Sequence, residues 1–540
     1  MEKSQRVSFD GKGVIEGNEL FDADKAVLAA RNFFNADFLF PWQRIVIANI
    51  LDQDIYRGRQ IVLLPTGAGK TLCFLVPALL LEGATLVIYP LLALMNDQKR
   101  RMEKAGIKCV IFKGGQTEEE REKNFKELEQ KENPARVIIT NPESLCKKEL
   151  ISRLSQIKIS HIAIDEAHCV SEWGDSFRPS YLELGRIIKE LKCPFITAFT
   201  ATASPQVLQR IGSILFDGFY YLVKGNCDRP NIHYEVLYAY AKEKAALELA
   251  LSMKKPLIIF CSSRSRTEKM AHILTAYFGH EKVRFYHAGL TREEKTNVEQ
   301  WFYSSGDGIL TATCAYGMGV DKSDIAAVIH LDAPEHLENF VQEAGRAGRN
   351  GEDVKSVLIW NHKDSVKWTE ASQGSREKAM GDYALSGKCR RQVISDYFKN
   401  EETFCTGCDI CDAKQKGKNI SYKARDAEIA FNFIKHNRRL YTRQEAVEKL
   451  TERFNSLKLK TFRMNIWETK DSAEILSQLI SERRLRLCPS SSAGKIDIRK
   501  KQRRIKLLSL IPRRHLHHLH RLRHYFRSFQ AAGQQLLSLL

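Results

Sequence analysis

The stretch Leu64-Pro65-Thr66-Gly67-Ala68-Gly69-Lys70-Thr71 decides the fold of this chain. It follows the apolar run Ile61-Val62-Leu63 and opens a segment, residues 71–76, that can be helical. A strand, a glycine loop and a helix in this order direct backbone N–H groups and the positive end of a helix dipole at a phosphate chain. Lys70 can then reach the β- and γ-phosphates of a nucleotide, and the hydroxyl of Thr71 can bind Mg²⁺.

The same stretch supplies the predicted nucleotide-binding residues, which are Thr66, Gly67, Ala68, Gly69, Lys70 and Thr71. Leu64 departs from the phosphate-loop pattern, because it stands where the first glycine of that pattern would be. The alternative is a tight strand-to-helix turn that carries Lys and Thr by chance. A second motif has to decide between the two interpretations.

The second motif is Ile162-Ala163-Ile164-Asp165-Glu166-Ala167-His168, an apolar strand that ends in two adjacent carboxylates. Asp165 is placed to hold Mg²⁺ through water, and Glu166 can orient and deprotonate an attacking water. A solvated acidic turn is the alternative. With a phosphate loop about a hundred residues upstream, the two motifs together predict hydrolysis of a nucleoside triphosphate.

Composition limits the class of protein. The 540 residues suggest about three or four domains, and 43% hydrophobic residues are ample for buried cores. Lys plus Arg number 84 against 65 for Asp plus Glu, a net charge of +19. Such a balance favours a polyanionic partner, most often nucleic acid, although a basic protein without one is the alternative.

The N-terminus does not have the pattern of a signal peptide. The first six residues are polar and precede no apolar signal core, and apolar stretches such as residues 76–81 are too short to span a bilayer. We therefore expect an intracellular protein without a membrane partner. It would be cytoplasmic and nucleoid-associated in a bacterium, or nuclear in a eukaryote.

Strand-like apolar runs alternate with polar helical segments along the first 365 residues, which predicts parallel sheets covered on both faces. The pattern occurs twice, so we predict two α/β domains in tandem, joined near residues 205–230. The runs begin at residues 86, 110, 137, 162 and 195 in the first domain and at 257, 283, 308, 327 and 357 in the second. The charged run at residues 118–132 is predicted to be a solvated helix.

Two further candidates belong to the nucleotide site. Arg346 and Arg349 are three residues apart, so on a helical segment they share a face and could serve as arginine fingers. The alternative is a surface pair that caps a helix end before Gly351. Gln43 precedes the phosphate loop, and its carboxamide could donate and accept hydrogen bonds at the edge of an adenine base. The alternative is a surface residue.

Four of the 13 cysteines are clustered as C-x15-C-x2-C-x2-C, namely Cys389, Cys405, Cys408 and Cys411. Four thiolates favour a tetrahedral Zn²⁺ site without an open position, which is structural and not catalytic. Free thiols are the alternative, and we expect that state for the other nine cysteines. Arg390 and Arg391 follow the first ligand, and we predict that they contact a DNA backbone.

Taken together, the motifs resemble those of the RecQ family of DNA helicases, within the second helicase superfamily. The resemblance covers roughly residues 35–490. The motifs stand in the family's order: Pro41-Trp42-Gln43, Thr66-Gly67-Ala68-Gly69-Lys70-Thr71, Pro90-Leu91-Leu92-Ala93-Leu94-Met95-Asn96-Asp97-Gln98, Asn141-Pro142-Glu143, Asp165-Glu166-Ala167-His168, Thr200-Ala201-Thr202-Ala203, Asp228-Arg229-Pro230-Asn231, Tyr286-His287-Ala288-Gly289-Leu290, Ala312-Thr313-Cys314-Ala315-Tyr316-Gly317-Met318-Gly319-Val320-Asp321-Lys322 and the stretch with Arg346 and Arg349.

The resemblance implies an α/β fold with two tandem RecA-like parallel-sheet domains, a helical zinc-binding subdomain and a winged helix. The predicted ranges are 1–24 (lead-in), 25–210 and 211–365 (RecA-like domains), 366–421 (zinc), 422–488 (winged helix) and 489–540 (basic tail). It implies an ATP-dependent 3′-to-5′ DNA helicase of recombination and repair, with ATP, Mg²⁺ and Zn²⁺ as cofactors. The implied catalytic residues are Lys70, Asp165, Glu166, Arg346 and Arg349.

A loop after the acidic motif, Cys169-Val170-Ser171-Glu172-Trp173-Gly174-Asp175-Ser176-Phe177-Arg178-Pro179, looks like the family's aromatic-rich loop, which couples single-stranded DNA to the ATP site. Trp173 and Phe177 offer faces for base stacking, and Arg178 offers a charge for phosphate. The family usually has His-Asp where this chain has Asp175-Ser176. It usually has Arg at the position of Phe40. The departure at Asp175-Ser176 concerns the coupling of DNA binding to ATP hydrolysis, and the departure at Phe40 concerns the adenine site.

The C-terminal part is predicted from helical patterning followed by the short strand Leu485-Arg486-Leu487, which is consistent with a winged helix. Candidate phosphate contacts there are Lys458, Lys460 and Arg463, with a solvated helix face as the alternative. The tail beyond residue 489 is basic and His-rich. It could bind nucleic acid non-specifically, be a disordered tail, or be sequence that is not native in frame.

The implied partners are single-stranded and forked duplex DNA. Two rival classes stay open at this point. One is an RNA-dependent helicase or remodelling ATPase with the same core, and the zinc cluster and the aromatic-rich loop argue against it. The other is a non-hydrolytic DNA-binding or annealing protein, and the intact set of Lys70, Asp165, Glu166 and Arg349 argues against that.

Overall fold

The computed structural model of the chain describes residues 25–52, 58–65, 67–172, 179–225, 228–316, 322–400, 402–417, 425–462, 464–488 and 494–498. The chain divides into two compact units. The first comprises Met1–Ala424 with Phe454–Asp471, and the second comprises Arg425–Arg453 with Ser472–Leu540. Among the described residues, every helix is too short or too polar to cross a membrane.

The first sheet has seven parallel strands in the order β3-β4-β2-β5-β6-β1-β7. Its inner strands are buried along nearly their whole length, as expected of a parallel sheet that is covered on both faces. The strands are β1 Arg59–Leu63, β2 Ala84–Ile88, β3 Cys109–Phe112, β4 Val137–Thr140, β5 Ile159–Ile164, β6 Phe195–Thr200 and β7 Tyr221–Lys224.

In the described part of the chain, ten helices belong to this domain. The predicted charged helix begins at Glu118, because the Thr117 hydroxyl accepts from the N–H of Glu120 and the Glu120 carboxylate accepts from the N–H of Thr117. The helices are α1 Lys25–Phe34, α2 Pro41–Leu51, α3 Lys70–Leu80, α4 Leu92–Lys104, α5 Glu118–Leu128, α6 Pro142–Leu145, α7 Lys148–Leu154, α8 Cys169–Glu172, α9 Leu184–Leu191 and α10 Pro205–Phe216.

The second sheet has six parallel strands in the order β10-β11-β9-β12-β13-β8. The strands are β8 Ile232–Tyr238, β9 Leu257–Phe260, β10 Val283–Tyr286, β11 Ile309–Ala312, β12 Ala327–His330 and β13 Val354–Trp360. The helices are α11 Lys242–Ser252, α12 Arg264–Phe278, α13 Arg292–Ser304 and α14 Leu337–Ala344. The two tandem parallel-sheet domains of the sequence prediction are therefore confirmed.

Two strands at sheet edges were absent from the prediction. β7 extends the first sheet beyond β1, and β8 begins the second sheet. The predicted domain limits after residues 210 and 365 fall inside α10 and α15, His362–Glu370. The connection between the two sheets therefore lies between β7 and β8.

A helical subdomain follows the second sheet, as predicted. It consists of α15 together with α16 Arg376–Leu385, α17 Arg390–Tyr397 and α18 Asp409–Gln415. It packs against the edge strand β8, where Tyr234 and Cys408 form an isolated parallel bridge. The subdomain thereby covers an edge that would otherwise be open.

The C-terminal region contains three helices and a two-stranded antiparallel sheet, which is the element order of a winged helix. The elements are α19 Arg425–His436, α20 Arg443–Phe462, α21 Thr469–Ser481, β14 Leu485–Leu487 and β15 Ile496–Ile498. β15 was not predicted. Its buried Asp497 accepts hydrogen bonds from Arg438 (2.8 Å) and Arg439 (3.0 Å), which lower the pKa of its carboxyl group.

The turn between α20 and α21 belongs to the first unit. The rings of Phe454 and Trp467 stack at 4.0 Å between centroids, and the Asn455 carboxamide binds the N–H groups of Ile466 and Trp467 at 3.0 Å each. Ile466 is buried in the core of the second sheet. Of the candidate phosphate contacts, Arg463 and the side chains of Lys458 and Lys460 lie outside the described residues.

Candidate nucleotide-hydrolysis site

The loop between β1 and α3 has the backbone of a phosphate-binding turn. Gly67 and Gly69 have φ angles of +85° and +72°, a region that glycine enters without penalty. Gly69 caps α3, so the helix begins at Lys70 and directs its first N–H groups into the loop. Thr71 follows in the first turn, and Ala68 lies between the glycines. Thr66 is outside the described residues.

Gln43 holds this loop from the side of α2 and is only 2% exposed. Its Nε2 donates to the carbonyls of Ala68 (3.3 Å) and Gly69 (3.2 Å), and its Oε1 accepts from the N–H of Phe40 (2.8 Å). Trp42 adds an indole N–H bond to Ala68 O at 3.3 Å. The carboxamide is therefore engaged by backbone in this structure, and its predicted contact with an adenine edge stays a prediction.

Lys70 lies in a buried, anionic setting. Its Nζ is buried and has no hydrogen-bond partner among the described residues. A buried ammonium without a partner is costly, so such a group fits a site that receives an anion such as phosphate. Its positive charge acts to lower the pKa values of both Asp165 and Glu166, although burial outweighs this effect at Asp165. Lys70 therefore lies beside the acidic pair.

Asp165 and Glu166 sit immediately beyond the end of β5. The Asp165 N–H donates to Ile88 O at 2.9 Å, and the Glu166 N–H donates to Asp165 Oδ1 at 3.0 Å. Burial, followed by the neighbouring Glu166 charge, raises the pKa of Asp165 to about 6. Glu166 has a φ of +49°, which is uncommon for a residue with a side chain and marks the sharp turn after the strand.

The Glu166 carboxylate is surrounded by positive charge. Burial acts to raise its pKa, but Lys70 and then His168, Arg346 and Arg349 together lower it below the ordinary value. Glu166 is therefore ionised at neutral pH and can accept a proton. This convergence brings the predicted catalytic residues of both parallel-sheet domains to one site.

His168 connects the acidic motif to two other elements. Its Nδ1 lies 3.0 Å from Thr200 Oγ1 and 3.3 Å from Glu166 Oε2, and its Nε2 lies 3.3 Å from Gln342 Nε2. A neutral ring would carry its proton on Nδ1, because Gln342 Nε2 can only donate to the Nε2 of the ring. The Thr200 hydroxyl then donates to Thr202 O at 3.0 Å.

Sequence reasoning gave no role to His168, Thr200 or Gln342. Each lies within a motif that the sequence displayed, since His168 ends the acidic motif and Thr200 begins Thr200-Ala201-Thr202-Ala203. Their side-chain pairings join residues that are 32 and 174 positions apart. Spacing along the chain cannot reveal such pairs.

The two arginines lie in a turn and not on a helix, which corrects the helical expectation. α14 ends at Ala344, and residues 345–350 form consecutive turns, which we call the arginine turn. Arg346 is 9% exposed, and burial followed by the neighbouring Arg349 lowers the pKa of its guanidinium. The turn places both charges near Glu166, because both contribute to the lowered pKa of that carboxyl group.

The cysteine cluster is assembled as predicted. The Sγ atoms of Cys389, Cys405, Cys408 and Cys411 lie within 4.8 Å of one another, and those of Cys389 and Cys408 are 4.0 Å apart. A tetrahedron with Zn–S bonds of about 2.3 Å has sulfur atoms about 3.8 Å apart. The four thiolates therefore fit Zn²⁺, with no position left for a reacting group.

The prediction that Arg390 and Arg391 contact DNA is wrong, because both side chains are fully buried. Arg390 donates to both carboxylate oxygens of Asp409, at 2.9 and 3.2 Å, and to the carbonyl of Tyr383. Arg391 donates to Asp228 and to neighbouring carbonyls. Two adjacent arginines in a sequence are usually exposed, and here internal carboxylates and carbonyls satisfy them.

The predicted DNA contacts Trp173, Phe177 and Arg178 lie outside the described residues, as do the departures Asp175 and Ser176. Phe40, the other departure from the family pattern, is described. Its ring stacks on Trp42 with 4.7 Å between centroids and 9° between planes. This aromatic pair lies next to the phosphate loop, because the indole N–H of Trp42 donates to Ala68 O.

Three family profiles match consecutive parts of the chain. They are DEAD/DEAH box helicase at residues 40–211, helicase conserved C-terminal domain at 241–351, and RecQ zinc-binding at 352–412. The third covers the subdomain that contains Cys389, Cys405, Cys408 and Cys411. The matched ranges cover most of both parallel-sheet domains and the whole cysteine cluster.

Among curated proteins, the chain is 32% identical over 435 residues to "ATP-dependent DNA helicase RecQ" of Pasteurella multocida, and 35% identical over 364 residues to its namesake of Haemophilus influenzae. These alignments cover 76% and 65% of this chain, and 66% and 58% of the relatives' own lengths. A "Putative ATP-dependent RNA helicase R290" of Acanthamoeba polyphaga mimivirus is 36% identical over 368 residues, covering 65% of each chain.

Two solved structures share the fold. The helicase MrfA bound to DNA aligns with a TM-score of 0.53 at 18% identity, covering 88% of this chain and 62% of that one. The DEAD-box helicase Mss116 bound to single-stranded RNA aligns with a TM-score of 0.54 at 18% identity, covering 83% and 89%. At this identity the likeness concerns the fold alone.

The first RecA-like domain carries a phosphate loop and an acidic motif, and the second contributes an arginine turn to the same site. This arrangement defines the class of two-domain helicase cores. The cysteine subdomain that follows the core narrows the class. Together with the RecQ zinc-binding profile and the RecQ-named relatives, it shows that the chain belongs to the RecQ family of helicases.

Proposed function

We propose that this protein is an ATP-dependent DNA helicase that moves 3′ to 5′ on a single strand and unwinds duplex DNA in recombination and repair. The observation that carries the proposal is the setting of Glu166. Its carboxylate is held ionised by Lys70 and His168 from one domain and by Arg346 and Arg349 from the other. A group in such a setting is suited to activate water beside a phosphate.

The chain's own residues divide the work of hydrolysis. Lys70 and the N–H groups of residues 67–71 would bind the phosphates, and Glu166 would orient the attacking water and accept its proton. Thr71 and Asp165 would hold Mg²⁺, which neutralises charge on the β- and γ-phosphate oxygens. Arg346 and Arg349 would stabilise the charge that develops as the terminal phosphate leaves.

Motion would follow from the sharing of the site by two domains. ATP favours a closed arrangement in which the arginine turn engages the phosphates, and hydrolysis releases it. Alternate closing and opening would move the two domains along a DNA strand. Trp173, Phe177 and Arg178 are the proposed strand contacts. The activity would occur where the DNA is, in a bacterial nucleoid or a eukaryotic nucleus.

The test is strand separation on two matched substrates, one duplex with a 3′ single-stranded tail and one with a 5′ tail. We expect ATP-dependent unwinding of the 3′-tailed duplex only. The Glu166→Gln variant keeps the size of the side chain and removes the base, so it should bind ATP as the wild type does and lose unwinding. Equal unwinding of both substrates would refute the proposed polarity, and unwinding by Glu166→Gln would refute the role of the base.

A second candidate is action on RNA, which the name of the mimiviral relative favours. Measuring ATP hydrolysis with single-stranded DNA and with RNA of the same sequence and length distinguishes an RNA-dependent enzyme from the proposed DNA helicase. Stronger stimulation by DNA supports the main proposal. Stronger stimulation by RNA would replace it.

A further inference from the structure

Arg391 is a buried arginine of the zinc-binding subdomain that holds one short segment of the second parallel-sheet domain. Its Nη1 donates to Asp228 Oδ1 and to Arg229 O (3.0 Å), and its Nη2 donates to Pro230 O (3.1 Å) and to Ile232 O. The side chain is fully buried. A planar guanidinium can satisfy four such acceptors at once, which an ammonium cannot.

The segment that Arg391 holds in turn binds the arginine turn. The Arg229 guanidinium donates to the carbonyls of Gly345 (3.1 Å), Ala347 (3.2 Å) and Gly348 (2.8 Å). Asn231 donates from Nδ2 to Gly348 O (2.8 Å) and to Glu352 O (2.7 Å). Side chains of the segment at 228–232 therefore hold the backbone on both sides of Arg346 and Arg349.

The arginine turn needs such support because its own sequence gives it little stiffness. It contains Gly345 and Gly348 and is followed by Gly351, and Gly348 and Gly351 have φ angles of +60° and +87°. Glycine allows many backbone conformations, so these positions are defined by the contacts made to them. A displacement of about 1 Å in a group that must meet a reacting phosphate can cost about a hundredfold in rate.

We propose that Arg391 is a positioning residue for the arginine turn, so that the zinc-binding subdomain sets the geometry of Arg346 and Arg349 through the segment at 228–232. The inference rests on the proposed function, since it assigns a role in ATP hydrolysis. The first cysteine of the metal cluster, Cys389, caps the helix α17 that carries Arg391. The Thr406 hydroxyl, next to the second cysteine, donates to Pro230 O at 2.5 Å. Residues next to the metal ligands thus contact the segment directly.

Arg390 provides a matched control on the same helix. It is also fully buried, and it also binds one carboxylate and backbone carbonyls. These partners, Asp409 and residues 383–386, belong to the zinc-binding subdomain. Arg390→Lys therefore disturbs that subdomain, whereas Arg391→Lys directly disturbs the segment that supports the arginine turn.

The experiment compares steady-state ATP hydrolysis, with single-stranded DNA present, in the wild type, Arg390→Lys and Arg391→Lys as full chains. Zinc content and thermal unfolding are measured on each protein. We expect Arg391→Lys to lower kcat by about 10- to 100-fold, with KM for ATP changed by less than about threefold. Arg390→Lys should keep kcat within about threefold of the wild type at a similar loss of thermal stability.

Hydrogen exchange supplies a readout that does not depend on turnover. The amides of residues 345–352 should exchange faster in Arg391→Lys and not in Arg390→Lys. If Arg391→Lys fails to fold, Asp228→Asn removes the ion pair and keeps the shape, and it should accelerate the same amides. The double variant Arg391→Lys with Arg229→Lys should be no slower than the slower single variant, because the two residues act in series.

Each possible outcome either supports or overturns the positioning role of Arg391. Lower kcat and faster exchange specific to Arg391→Lys support the inference. Equal kcat in the two variants, or unchanged exchange at residues 345–352 in Arg391→Lys and Asp228→Asn, overturns it while the proposed function stands. A wild-type protein that hydrolyses no ATP overturns the proposed function and this inference with it.

Discussion

Two glycines of the phosphate loop share a left-handed backbone but differ in their surroundings. A Cβ built at Gly67 meets nothing within 4 Å, whereas a Cβ at Gly69 would lie 2.4 Å from Gln43 Nε2. A left-handed backbone alone costs a residue with a side chain about 1 kcal/mol. At Gly69 the new methyl group would also displace the carboxamide that holds the loop.

We therefore expect Gly67→Ala to lower the free energy of unfolding by about 1 kcal/mol. Gly69→Ala should lower it by about 3 kcal/mol, since the two hydrogen bonds that Gln43 Nε2 donates to the loop are also lost at about 1 kcal/mol each. Chemical denaturation measures both. In a Gln43→Ala background the two glycine variants should become equal. Equal losses in the wild-type background would contradict the proposed bracing of the loop by Gln43.

Asp471 is a buried carboxyl group whose protonation state should affect stability. It is 5% exposed, and burial raises its pKa to about 6, with the nearby Glu243 and Glu468 charges adding to the rise and Lys470 opposing it. Its Oδ2 accepts from the N–H of Glu468 at 3.0 Å. The folded state therefore binds a proton more tightly than the unfolded state, and this group's contribution to stability falls as the pH rises from about 4 to about 6.

Asparagine at this position keeps the acceptor and cannot ionise. Relative to the wild type, Asp471→Asn should gain about 2 kcal/mol of unfolding free energy between pH 4 and pH 7, since each unit of pKa shift is worth about 1.4 kcal/mol. Denaturation at several pH values measures the difference between the two proteins. A difference that does not change with pH would show that Asp471 is not perturbed in the folded state.

At the residue scale the sequence predicted local strand-to-loop structure well and long-range contacts poorly. Lys70, Asp165 and Glu166 were assigned from strand-to-loop patterns that span a few residues. Arg390 and Arg391 were misassigned, because their partners decide their role and Arg391 binds backbone about 160 positions earlier in the chain. No pattern of neighbouring residues specifies such a partner.

At the scale of elements, the zinc-binding subdomain depends on its four thiolates. Metal binding in small units of this kind is coupled to folding. We expect one zinc per chain and expect Cys411→Ser to lose it, with a lower thermal unfolding temperature. Metal analysis and thermal unfolding test this. Cys146→Ser, at a half-buried cysteine outside the cluster, should keep zinc. Full zinc content in Cys411→Ser would contradict the tetrahedral site.

The prediction from the sequence did not include the strands β7 and β8, and the reason lies in their hydrophobic patterns. β8 alternates buried Ile232, Tyr234, Val236 and Tyr238 with more exposed residues, which is the period-two signal of an edge strand. The prediction relied on continuous apolar runs, which mark strands buried on both faces. β7 carries exposed Tyr221 and Leu222 and gives neither signal clearly.

At the scale of the whole molecule, the central feature is the sharing of one site by two domains. Glu166 from the first domain is influenced by Arg346 and Arg349 from the second, and His168 contacts Gln342 of α14. The repeat of the strand pattern predicted both domains. That the acidic motif of one domain and the arginine turn of the other share a site could be expected only from the family resemblance. The spacing of motifs along the sequence does not orient one domain against another.

The measurement that tests this account most directly is ATP hydrolysis by the purified full chain, with and without single-stranded DNA, beside the variant Lys70→Ala. The account predicts hydrolysis that DNA stimulates strongly and that Lys70→Ala abolishes, because the buried ammonium of Lys70 is then missing from the phosphate site. Absence of hydrolysis in the wild type, or equal hydrolysis in Lys70→Ala, would contradict it.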